Sequence, residues 1–202
     1  MPRRDQTRDE ASGPTRQTII EAALKTLRES GFARASARAI ARAGSFNQAL
    51  IFYHFGTVNG LLLAALDHTS TARMARYRDV VKEAESLAEL VTVARRTYQE
   101  DRDAGHMTVV AEMVAGGVSH PALRSEIAAR IRVWAGFVEE VLDPFLRDSP
   151  LDALVPARDA GFALVAFYLG LNISSRIEDE QEWVDNVFEA AERTSTVLAT
   201  FL

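Results

Sequence analysis

The residues able to do chemistry are few, and most are wrongly spaced for catalysis. The histidines are His54, His68, His106 and His120, and none pairs with another at metal-ligand spacing on one helix. Cysteine is absent, which excludes disulfides, thiolate metal sites and cysteine nucleophiles. No phosphate-binding glycine loop, H-E-x-x-H pair or nucleophile elbow occurs. No catalytic residue, cofactor or metal site is therefore expected. The chain instead carries a recognition set. If Ile51 and Phe55 face inward, four residues apart on one helix, then Gln48, Ala49, Phe52 and Tyr53 face outward. A glutamine amide can bond an adenine edge, and apolar groups can touch thymine methyls in a major groove.

Two short helices joined by a tight turn would position that set. They lie in residues 36–56, SARAIARAGSFNQALIFYHFG. Ser36 is placed to cap the first helix, and Ile40 and Ala41 give it an apolar side. Ala43, Gly44 and Ser45 are small enough for a sharp change of direction. Asn47 reads as the N-cap of the second helix. Phe46 before it and Ile51 within it have hydrophobic-staple spacing. This is helix-turn-helix geometry.

The stretch resembles the DNA-binding motif of tetracycline-repressor-type (TetR family) transcriptional regulators. The resemblance is carried by Ile40-Ala41, the small turn at 43–45, Ile51-Phe52-Tyr53-His54-Phe55 and Leu61-Leu62-Leu63. The preceding helix fits too, from Ile19-Ile20 through Leu27 with Gly31-Phe32 after it. The resemblance covers residues 14–66 and implies that Asn47, Gln48, Ala49, Leu50, Phe52, Tyr53 and His54 face DNA. It brings Ser36 and Arg38, at the start of the leading helix, to the backbone or a groove edge; Arg42 reads as a surface charge. Amides near Thr57, at the next helix N-terminus, would meet a phosphate. Four positions depart from the family pattern. Ser45 stands where the turn glycine is usual, Leu50 where a small hydroxyl residue is common, Phe52 where tyrosine is frequent and Val58 where lysine is common.

Charge supports a split in roles. The net charge is −5. Residues 1–60 hold nine basic and five acidic side chains, and the other 142 hold 14 and 23. A basic head on an acidic body is expected where only the head meets phosphate. Residues 1–13, polar and carrying Arg3, Arg4 and Arg8, read as a flexible arm for added DNA contacts. They lack the apolar run of a signal peptide. The longest apolar run, 160–173, is too short to span a bilayer. The expectation is a cytoplasmic protein with no membrane partner.

The fold class expected is all-α: a three-helix head over 14–56 and a helical-bundle body over 57–202 for ligand binding and dimerisation. Thr15 should cap the first helix, which Gly31 ends. A long helix should follow over 57–84, then one over 86–101 capped by Ser86. HMTVVAEMVAG should be a short segment ended by Gly116-Gly117. The next helix opens at Pro121, and Pro144 ends or kinks it. The apolar run within 161–173 needs cover on both sides. It and the last helix, over 180–202 with Trp183 and Phe201, resemble the family's two-fold four-helix interface. Phe162, Val165, Phe167, Leu169, Val184, Val187, Phe188 and Ala191 are its candidate residues. Two-fold symmetry would present two recognition helices to a palindromic operator on double-stranded DNA. Family members often bind a small apolar effector in the body. Its candidate lining here is Met107, Val110, Met113, Trp134, Phe137 and Tyr168, residue types that also suit plain core. The resemblance implies a repressor released by that effector. Two other readings are a helical-bundle enzyme or small-molecule carrier, and a DNA-binding regulator governed by a protein partner.

Overall fold

The computed structural model describes residues 6–147, 149–150, 152–178 and 181–199, with side chains from Thr15. Among these the chain is helical and contains no strand. Its elements are α1 (Gln6–Ser30), a 3-10 turn (Phe32–Arg34), α2 (Ala37–Ala43), α3 (Ala49–Phe55), α4 (Val58–Val81), α5 (Leu87–Asp103), α6 (His106–Ser119), α7 (Pro121–Leu146), α8 (Ala157–Glu178) and α9 (Gln181–Leu198). Arg3 and Arg4 of the expected arm, and Phe201, lie outside the described residues. No single helix is long and apolar enough to cross a membrane.

The chain divides into two compact units. The first comprises 1–71 with 108–127, and the second 72–107 with 128–202. The first half of α4, nearly all of α6 and the start of α7 fall in the same unit as α1 to α3. In the first unit Ile19, Leu27, Ile40, Ile51, Leu61 and Met113 are buried, so the stripes of α1 to α4 close on one another. α6 joins them at a defined point. The Phe32 amide donates to Glu112 Oε2 at 2.8 Å, and the Phe32 ring meets the His120 ring edge-on at 5.1 Å.

That contact explains why α6 runs through Gly116-Gly117, which were expected to end it. Both glycines are buried. A Cβ on Gly116 would lie 2.6 Å from the Phe32 ring, and one on Gly117 2.6 Å from Ile127 Cδ1. Close packing, not helix termination, requires them there. α7 likewise continues through Pro144 to Leu146. α1 runs Gln6–Ser30, so Thr15 is interior to it and is not a cap.

The second unit has two core clusters. Tyr98, Leu171, Val184 and Phe188 join α5, α8 and α9, with Val91, Tyr168 and Trp183 around them. Arg95 on α5 pairs with Asp185 of α9 at 2.9 Å across the same seam. Met74, Tyr77 and Phe137 join α4 and α7, flanked by Val81, Trp134, Val138 and Val141. Ser86 caps α5 as expected, its hydroxyl accepting the Glu89 amide at 3.2 Å.

Candidate DNA-binding site

Ser36 caps α2, its Oγ accepting the Ala39 amide at 3.3 Å, and Ile40 and Ala41 anchor that helix inward. The turn departs in detail from the expected one. Ser45, not Gly44, takes the left-handed backbone, at φ 57°, while Gly44 sits at φ −102°. Gly44 serves packing instead: a Cβ there would press into the edge of the Phe46 ring and lie 2.8 Å from Ala22 Cβ. The helix of α3 begins one residue later than an Asn47 cap implies, with Gln48 at the cap position. Asn47 still supplies the capping chemistry, because its Oδ1 accepts the Ala49 amide at 2.9 Å.

Fully buried Ile51 fixes the rotation of α3. Asn47, Gln48, Ala49, Phe52 and Tyr53 are exposed, Tyr53 at 75% and Phe52 at 51% of their full areas. Leu50 and His54 are half-buried. Phe55, expected to face inward, is half-buried under the Arg16 guanidinium, 4.5 Å from its ring centroid. Arg16 also donates to the His54 carbonyl at 3.4 Å, tying α1 to the end of α3. The His54 and Tyr53 rings meet edge-on at 4.8 Å.

Beside this row lies a shallow groove lined by Arg38, Ala41, Arg42, Ser45, Phe46, Asn47 and Gln48. It brings Arg38 together with Gln48. It also brings in Arg42, expected only as a surface charge, although its i, i+4 spacing from Arg38 puts it on the same face. Ser36 and Thr57 are exposed. The Thr57 amide donates to the Phe55 carbonyl at 2.8 Å, and its Oγ1 accepts the Gly60 amide at 2.9 Å. Thr57 thus caps α4, and its own amide is already engaged.

Residues 19–65 match the sequence model of bacterial regulatory proteins of the tetR family, and α2 and α3 lie inside that match. Over that segment the chain is similar to the regulatory proteins of this family. It is 25% identical over 137 residues to the HTH-type transcriptional regulator UidR of Escherichia coli K12, a match covering 67% of this chain and 66% of that relative. Among solved structures it resembles the multidrug binding protein EbrR, crystallised with imidazole (27% identity, TM-score 0.65, 92% and 90% of the two chains). It shares its fold with the fatty acid degradation regulator FadR of Bacillus halodurans (17% identity, TM-score 0.74, 90% and 94%). The family, UidR and FadR are regulators.

The other candidate residues are divided by the fold. Of the expected effector lining, Val110 and Met113 belong to the first unit, and Met107, Trp134, Phe137 and Tyr168 to the second. Met107 and Phe137 are buried, and Trp134 and Tyr168 partly so. Of the expected dimer contacts, Phe162 and Phe167 are exposed, at 57% and 52%, and Val165, Leu169, Val187 and Ala191 are half-buried. Val184 and Phe188 pack inside the subunit against Tyr98 and Leu171. A helix's apolar stripe shows that it is covered, but not whether its own chain provides the cover. Leu164 and Ile173, at 46% and 42%, extend the exposed row on α8.

One charged group in the body has no signal in the sequence pattern. Arg73 of α4 and Asp101 of α5 are 7% and 1% exposed and form an ion pair. Asp101 Oδ2 also accepts the Tyr77 hydroxyl and, at 3.3 Å, the Tyr168 hydroxyl. Burial, with Asp101 beside it, pushes the Tyr77 hydroxyl up to about 12. Burial opposes the Arg73 charge, but Asp101 and the tyrosines outweigh that effect and hold the guanidinium above its ordinary value. Among the described residues no group of three acidic or histidine side chains is placed to hold a metal.

Proposed function

We propose that the protein is a homodimeric repressor that reads a palindromic operator on double-stranded DNA and is released by a small molecule bound in the body. The observation that carries the DNA-reading step is the outward row of Gln48, Ala49, Phe52 and Tyr53 over buried Ile51, within the family-matched segment. In this reading Gln48 bonds a base edge and Ala49 and Leu50 meet thymine methyls. Tyr53 and His54 reach phosphates, with Arg38 and Arg42 flanking them. Ser36 and Asn47 hold the two helices at the groove, and Thr57 sets the start of α4. The exposed α8 row of Phe162, Leu164, Phe167 and Ile173 meets its copy on a second subunit, which sets the two α3 helices at half-site spacing. Met107, Trp134, Phe137 and Tyr168 border the effector. A DNA reader of this kind works in the cytoplasm.

Footprinting on the DNA upstream of its own gene, over a salt series, tests the reading. The expected result is a protected palindrome, with log K falling linearly against log salt. Gln48→Ala and Tyr53→Ala each weaken operator binding, Gln48→Ala by about 1–3 kcal/mol, with the thermal midpoint unchanged. Unchanged affinity in both variants would remove α3 as the reading face.

A further inference from the structure

The Arg73–Asp101 cluster is unusual for a structural ion pair. Buried arginine–carboxylate pairs gain most when the guanidinium fork is fully engaged, since desolvating both charges is expensive. Here one terminal nitrogen of Arg73 serves both Asp101 Oδ2 and, at 3.4 Å, the Met107 sulfur. Arg73 Nε–H is buried and has no hydrogen-bond partner. A buried, unmatched donor on a charged group is costly, so such donors call for an explanation. The guanidinium lies over the Trp134 ring at 5.1 Å and the Tyr77 ring at 5.7 Å. Trp134, Val138 and Val141 pack beside it and are partly buried.

We propose that Arg73 Nε–H is the polar anchor of an effector site for a neutral, mainly apolar molecule bearing a carbonyl-type acceptor oxygen. The inference rests on the effector reading above and gives its ligand a chemical class. Charge balance decides that class. Arg73 and Asp101 already neutralise each other, so an anionic ligand would leave net negative charge in the core and a cationic one net positive. A carbonyl oxygen satisfies the open donor without adding charge. Trp134, Tyr77 and Met107 then offer the flat and polarisable surface for the apolar remainder.

A set of probes differing only in headgroup tests this on the full-length protein: cyclohexanone, cyclohexanecarboxylate, cyclohexylammonium and methylcyclohexane. The readout is the Arg73 Nε–H resonance in 1H–15N spectra, identified by its loss in Arg73→Lys. Cyclohexanone should move that resonance saturably and bind tightest of the four. Arg73→Lys should weaken cyclohexanone about tenfold and leave methylcyclohexane as it was. Tightest binding by the carboxylate or the ammonium would overturn the proposal. So would equal binding of cyclohexanone and methylcyclohexane, or no binding by any probe. The ranking of the four probes on the wild-type protein decides the matter even if Arg73→Lys does not fold. Operator release, followed in parallel, separates the two readings. Release by an ionic probe alone keeps an effector-controlled regulator but refutes the neutral class. A cyclohexanone shift without release keeps the class and refutes release by this site.

Discussion

On α3 the protein holds Phe52 and Tyr53 in water; in its body it holds Arg73 and Asp101 out of water. Each placement runs against the ordinary sorting of residues, in opposite directions. Scattered exposed apolar residues need no account, whereas a row of them, or a buried charge, does. The head can leave aromatics exposed because its folding rests on other residues, Ile40 and Ile51, both fully buried. The body has no such separation. Its charges lie among the side chains that hold α4, α5, α7 and α8 together, so altering them alters folding as well as recognition.

Removing one partner of the buried pair should therefore give the largest effect. Asp101→Ala leaves Arg73 charged, buried and without its carboxylate, and should cost about 3–5 kcal/mol in urea denaturation. Arg73→Met combined with Asp101→Leu should recover most of that loss, because two matched apolar side chains remove both desolvation penalties. A single-variant loss below about 1 kcal/mol would mean that the cluster is not a tightly coupled part of the core, and the contrast with α3 would fail.

The same region should set the alkaline limit of stability. Tyr77 is raised from 10.0 to about 12 by burial first and by Asp101 beside it, and Tyr168 is raised for the same reasons. The unfolded chain releases these protons near pH 10 while the folded chain keeps them. The stabilisation is thus fully present below pH 10 and is lost as pH rises toward 12. For Tyr77 the two-unit difference corresponds to about 2–3 kcal/mol. Denaturant midpoints at pH 8, 10 and 11.5 should fall along this course, and Tyr77→Phe should flatten it. A wild-type midpoint constant to pH 11.5 would place these hydroxyls in contact with water.

Local signals were the legible part of the chain. Ser36 and Ser86 cap the helices they precede, and Ile51 turns α3 as its spacing required. These features depend on residues within four positions of each other. What escaped depends on partners far along the chain. Gly116 reads as a breaker until Phe32, 84 residues earlier, packs on it. Val184 and Phe188 carry a stripe that fits a partner subunit as well as Tyr98 of their own chain. Nothing in the local pattern marks Arg73 and Asp101, which only tertiary packing brings together.

The smallest expected effect lies in the head, at the turn that aims α3. Ser45 is the one non-glycine among the described residues with positive φ, at 57°. For an L-residue that conformation costs about 1–2 kcal/mol relative to glycine. Glycine also loses more freedom on folding, which offsets part of the gain. Ser45→Gly should therefore raise stability by about 0.5–1 kcal/mol. Gly44→Ala should lower it, since its Cβ would press on the Phe46 ring and on Ala22. The opposite signs at adjacent positions distinguish conformational relief from steric room, which a single glycine substitution would confound. An unchanged midpoint for Ser45→Gly would mean that the serine side chain compensates its own backbone. The turn would then be held by Ser45 itself, and not by the packing of Phe46 beneath Gly44.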